Sequence, residues 1–280
     1  MPTFETPGPI AVTAHVGAGS VQFTAGERAD TAVSVRPGDP KRDKDVRAAE
    51  QTEVTYANGT LTIRTKQRAF IGPTGTVRVT VELPAGSDLD VTGSWIQVLG
   101  EGRFGEVRVK TSVGDVRLDT TGPLQLTTSH GSATVDRIEG TAEITSSSGS
   151  VRVGLVEGPA VLKNSHGTTT VEAATGELRV SGANGDIEIR RAEGPLTATT
   201  AHGNLRVGEV VRGSVRLETS YGAIEVGVRE GTAAWLDAHS DSGQVRNRLA
   251  ASDAPAETEE TVEIHARTRY GSIDVLRARP

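Results

Sequence analysis

Three of the six histidines, His130, His166 and His202, stand at equal intervals, each directly before a glycine. Asn184 and Tyr221 hold the same position before Gly185 and Gly222. If the intervals are strands stacked about 4.8 Å apart, histidines two layers apart are roughly 10 Å from each other. A metal ion holds each nitrogen at about 2 Å, so no single ion bridges them. His130, His166, Asn184, His202 and Tyr221 therefore read as a polar, ligand-facing ladder. The serines before them, Ser112, Ser129, Ser147, Ser165 and Ser220, invite a Ser–His nucleophile. That chemistry needs an orienting carboxylate and an oxyanion hole, and the pattern supplies neither.

Two carboxylates come closest to glycosidase spacing. Asp186 and Glu188 alternate on one strand, about 6.6–7 Å apart, which suits an inverting mechanism. Counting by the repeat, however, aligns Glu188 with Thr170, Arg206, Glu225 and Arg246. An arginine beside each carboxylate stabilises the pairing and keeps the acid ionised, whereas the mechanism needs a raised pKa. A second acidic column, Glu139, Glu157, Glu193 and Glu230, is broken by Thr175 and Arg212. It does not converge the six to eight oxygens that calcium takes. The sequence therefore gives no catalytic residue, no metal site and no cofactor.

These residues owe their spacing to a repeat. One phrase returns as SVGDVRL, SHGSATV, SSGSVRV, SHGTTTV, ANGDIEI, AHGNLRV and SYGAIEV, with glycines from Gly114 to Gly222 every 17–19 residues. A second phrase on the same period follows Gly105, Gly122, Gly140, Gly158, Gly176, Gly194 and Gly213. In both, the residues two and four places after glycine are mostly apolar, as Val116 and Leu118 or Leu124 and Leu126 are. Period-2 alternation puts one face inward and the other in water. A single repeat cannot bury its own apolar face, so the array stands only as a stack. The column glycines are expected at corners, where φ is positive or backbones approach closely.

The expected fold is all-β: a single-stranded parallel β-solenoid of about 18 residues per turn, right-handed by the usual handedness of parallel connections. Residues 1–85 form an irregular N-terminal β cap and 86–280 the solenoid, with an exposed acidic loop near 250–260. Within the cap, Asn58-Gly59 marks a hairpin and Lys44–Glu50 a short helix in a charged surface excursion. GSVQF at 19–23 is an early copy of the repeat phrase, and Ile96 occupies the glycine column in an atypical first turn. Trp95 and the 37–50 excursion are expected to cover one end, and Trp235 and the 250–260 loop the other. Only 3% of residues are aromatic while 33 are glycine, which fits a thin, elongated core of Val, Leu, Ile and Ala.

The net charge of −6 and the lack of any basic run argue against nucleic acid. There is no Cys for disulfides or thiolate chemistry. The N-terminal residues carry neither a basic n-region nor a long apolar stretch, so the chain is expected to be cytoplasmic, without a membrane span.

DVRAAEQTEVTYANGTLTI at 45–63 and VRVTVELPAGSDLDV at 77–91, followed by GDVRL-like turns, resemble a bacterial β-strand-repeat family of unknown function labelled "putative adhesin". The resemblance implies a parallel β-solenoid without established catalytic residues. Its label also implies surface display, from which this sequence departs in lacking an export signal. The expected function is non-enzymatic, adhesin-like binding of a protein or glycan partner. The alternatives are a polymerising scaffold resembling the bactofilins and a carbohydrate lyase or hydrolase on a β-helix.

Overall fold

The protein is described by a computed structural model at residues 2–65, 75–249 and 260–278. It divides into two compact units, Met1–Glu139 and Gly140–Pro280. Both are built from the same turn of two short strands, each paired in parallel with the equivalent strand of the next turn.

In the first unit the chain order is not the spatial order. Strands Ala11–His15 and Ala18–Gly26 form the chain's first turn, yet they lie between the later strands Thr60–Thr65 and Val77–Pro84 on one side and Asp88–Arg103 on the other. Asp88–Arg103 makes a whole turn by itself, its two halves following the two tracks on which Val107–Val113 and Val116–Thr121 continue. The outer turn is closed by antiparallel strands: Thr52–Ala57 on Thr60–Thr65, and Asp30–Pro37 on Val77–Pro84. Asn58 and Gly59 form the tight turn, at φ 51° and 76°. Gly19 belongs to the glycine column: its φ is 131° and it aligns with Ile96.

Trp95 does not cover an end. It lies on Asp88–Arg103, aligned with Ala18 on one side and Val113 on the other, and is 67% exposed. The excursion at 37–50 carries the helix Asp43–Glu50, which is anchored through one residue. The buried Asp45 carboxylate accepts the Thr76 backbone N–H at 2.9 Å, its hydroxyl at 2.8 Å and the Asp39 N–H at 3.1 Å. Those bonds, that of the Thr76 N–H foremost, hold its pKa below the ordinary 3.8. A depressed carboxylate stabilises the fold fully above its unfolded-state pKa and loses that contribution as pH falls through the folded-state value. Asp45→Asn keeps one acceptor but turns a donor toward donors. It should cost about 1–2 kcal/mol at pH 7 and flatten the loss of stability below about pH 4, as read by urea melts across pH.

In the second unit successive turns run from Ala142–Val156 to Gly213–Val228, with the column glycines at the corner. Gly167, Gly185, Gly203 and Gly222 have φ of 127°, 143°, 153° and 157°. Inward residues such as Leu178, Val180, Ile187 and Ile189 are at most 3% exposed, each burial contributing about 1.5–3 kcal/mol. After Val228 the chain again departs from spatial order. It builds the turn Ala233–Asn247, then returns so that Thr261–Tyr270 and Ile273–Arg277 fit between that turn and Gly213–Val228. Gly271 therefore stacks on Gly222, and Gly243 on Gly271.

This insertion corrects one column. Thr170, Glu188, Arg206 and Glu225 do align, but Glu225 meets Asp274, and Arg246 lies one layer farther on against Asp274. Repeat counting assumes that the next glycine in sequence is the next in space, and here it is not. The interruption expected at 250–260 lies, apart from Glu260, outside the described residues.

Candidate functional site

The strand ends before the corner glycines place the ladder. In the second unit Ser148, His166, Asn184, His202 and Tyr221 are aligned in consecutive layers. The inserted turn then adds a residue that repeat counting did not include: Tyr270 aligns with Tyr221, and Ser242 with Tyr270. His130 belongs to the first unit, aligned with Val113. The signal for Tyr270 was present in the sequence, since Tyr270-Gly271 repeats Tyr221-Gly222.

Three rings of this ladder stack. His202 and Tyr221 are 4.9 Å apart and 2° from parallel, and Tyr221 and Tyr270 are 4.9 Å apart at 7°. The spacing is that of the strands themselves, so the backbone sets the stack. Tyr221 and Tyr270 are nonetheless 50% and 53% exposed. Their faces cover one another, so the ring edges and phenol oxygens are presented as a row. Beside the row is an open cleft of about 450 Å³ lined by Glu218, Ser220, His239, Asp241, Arg267 and Arg269. Arg267 is fixed by an ion pair with Asp237 and donates to its carbonyl at 3.0 Å. That guanidinium, with His265 assisting, lowers the Asp237 pKa.

Behind the exposed ladder runs a buried polar one that the alternation pattern hid. Three places before each column glycine from Gly114 onward, at an inward position, stands a small polar residue, Gly182 excepted. Thr219 donates to Gly203 O at 3.0 Å, Thr268 to Gly222 O at 3.0 Å and Ser240 to Gly271 O at 2.8 Å. Asn164 donates to both Gly149 O at 3.0 Å and Gly167 O at 3.1 Å. Each satisfies a carbonyl that the corner turns inward, away from water. The clue was a Thr, Ser or Asn recurring where the period of two calls for an apolar residue.

The carboxylates that resembled a glycosidase pair have other duties. Asp186 accepts the backbone N–H of Asn204 at 2.7 Å, and Asn204 Oδ1 in turn accepts that of Ala223 at 2.9 Å. Side chains one place after the glycine thus hold successive corners together. Glu188 is aligned with Arg206, which pairs with Glu225 at 3.8 Å. In the second acidic column Glu139 pairs with Arg103 and Arg137, and Glu193 with Arg191. Among the described residues no group of three or more His, Asp or Glu is placed to hold a metal ion. Nor is any described helix long and apolar enough to cross a membrane.

Residues 10–277 match the family model described as Toastrack DUF4097. No curated protein matches the chain. Similar solved structures include a "putative lipid binding protein" from Parabacteroides distasonis ATCC 8503, at 13% identity and a TM-score of 0.44, covering 98% of this chain and 95% of that one. A "putative adhesin" from Parabacteroides merdae ATCC 43184 is 10% identical with a TM-score of 0.43, covering 98% and 94%. Another, from Bacteroides fragilis NCTC 9343, is 13% identical with a TM-score of 0.37, covering 98% and 95%.

Proposed function

The chain belongs to the Toastrack DUF4097 family, and we propose that within this fold it is a non-enzymatic binding protein that engages its partner through the corner ladder of the second unit. The stacked and half-exposed rings of His202, Tyr221 and Tyr270 carry this reading. Tyrosine supplies large amphipathic contact area at low entropic cost, and here the stack has already fixed the rings. A row of phenol oxygens beside Asn184, Ser220 and the charged cleft suits a partner rich in hydrogen-bonding groups, a glycan or a polar protein surface. Asp186, occupied with the Asn204 N–H, and Glu188, beside Arg206, are poor candidates for acid–base chemistry. The antiparallel strands over the first unit's outer turn weigh against a polymerising scaffold, because a covered edge does not template another chain.

The test is glycan-array binding and affinity capture with the wild type and a Tyr221→Ala/Tyr270→Ala variant. The wild type should retain a ligand that the variant binds at least about tenfold more weakly, a loss of ~1.4 kcal/mol in binding. Both should melt alike, because the rings are exposed. Retention of every ligand by the variant, or a polysaccharide-cleaving activity abolished by Glu188→Gln, would overturn the proposal.

A further inference from the structure

The first unit holds a different concave surface. An open groove of about 840 Å³ lies over the first-track strands, lined among others by His15, Glu53, Arg64, Lys110, Ser94 and Ser112. Arg64, His15, Thr92 and Lys110 are aligned across four consecutive strands. With strands about 4.8 Å apart, the Arg64 and Lys110 backbones are about 14 Å apart, with an imidazole and a hydroxyl between them. The recess follows from the corner, which in these layers carries Gly17 and Gly93. A Cβ on Gly93 would come within 2.2 Å of Val16 O, so this backbone contact excludes a side chain. Beside the groove is Trp95, next in sequence to the lining Ser94 and, among the described residues, the most exposed of the large hydrophobic ones at 67%. Covering the end of the stack does not account for that exposure, because its strand is paired on both sides.

We infer that this groove is a second binding site, for a segment of acidic polysaccharide. The observation that carries it is a file of Arg64, His15 and Lys110 among hydroxyl groups, against a single lining carboxylate, Glu53, which is aligned with Arg64, in a chain whose net charge is −6. Two full cations about 14 Å apart suit a linear ligand with intermittent carboxylates or sulfates and do not close around one small anion. The serine hydroxyls offer donors and acceptors to sugar hydroxyls between the charges. The Trp95 face offers an apolar platform to a sugar ring, with the indole N–H free to bond at its edge. Nucleic acid fits less well. Its affinity comes from neutralising many phosphates and from successive aromatic platforms, whereas the groove has two full cations and one neighbouring aromatic ring.

Binding of polygalacturonate and of heparin to the full chain, with neutral dextran as control, tests the inference by titration calorimetry. At least one polyanion should bind and dextran should not. Binding should weaken from about 0.01 M to about 1 M salt, over which the screening length shrinks from about 30 Å to about 3 Å. The Arg64→Gln/Lys110→Gln variant and Trp95→Ala should each lose about tenfold or more, as central anchors do. Lys110→Arg, which keeps the charge, and Lys163→Gln, which removes an exposed charge in the other unit, should bind like the wild type. The inference is overturned if neither polyanion binds, or if the glutamine pair binds like the wild type. It is also overturned if Lys110→Arg, still folded by its melt, loses binding as the glutamine pair does. Tighter binding of a single-stranded oligonucleotide, or of phosphatidylserine vesicles, than of either polysaccharide would assign the groove to that ligand instead.

Discussion

Gly185→Ala is expected to lower the unfolding free energy by about 3–5 kcal/mol, from two costs that fall on the same atom. At φ 143° an alanine is strained in itself, worth about 1–3 kcal/mol. Its Cβ would also lie 2.2 Å from Gly167 O and 2.6 Å from the carbonyl carbon. Both are backbone atoms of the layer below and cannot rotate away. Relief requires the layers to part, which breaks ladder hydrogen bonds on either side. Gly231→Ala separates the two costs: φ there is 78° and nothing lies within 4 Å of a Cβ. It should lose about 1 kcal/mol. Urea unfolding of the two variants measures the difference, and equal losses would mean that the layers do not approach as described.

Asn164→Leu is expected to cost about 2–3 kcal/mol, even though it puts an apolar side chain at an inward position. The amide now serves Gly149 O and Gly167 O, and the substitution leaves both carbonyls without that donor at about 1–3 kcal/mol each. Part is returned, because Asn164 Oδ1 is itself buried without a partner. Thr219→Val removes one donor, that to Gly203 O, and should cost about 1 kcal/mol. If Asn164→Leu proved neutral or stabilising in the same melts, the polar ladder would not be holding the corner.

How much of this was legible in the sequence depended on whether the signal was local. Val116 and Leu118, or Leu124 and Leu126, declare an inward face through alternation within one strand, and Asn58-Gly59 declares its turn in two residues. Ile96 could be placed in the glycine column because the period was still intact there. The position of Tyr270 could not be read in that way. Alternation says which face a residue takes but not which layer a strand joins, and both terminal turns are inserted one layer inward. The Thr219 and Asn164 ladder was missed because the face assignment presumed that inward means apolar. The corner overrides that rule, since its inward carbonyls need donors. Trp95 was expected to cover an end and does not, because the layer above it is the chain's first turn.

The inserted last turn brings Tyr270 onto Tyr221 and so creates the ring ladder on which the proposed function depends. The chain has no cysteine, which allows a direct test by paired cysteine substitution and oxidation. Glu225 and Asp274 are aligned on neighbouring strands, about 4.8 Å apart and within the roughly 4.4–6.8 Å that a disulfide spans between Cα atoms. Glu225 and Arg246 are separated by the Asp274 strand, about 10 Å by the same spacing. Mass spectrometry of the oxidised proteins should find the Glu225→Cys/Asp274→Cys pair linked within the monomer and the Glu225→Cys/Arg246→Cys pair unlinked. The reverse outcome would mean that the turns stack in sequence order, which would remove Tyr270 from the ladder and contradict the account.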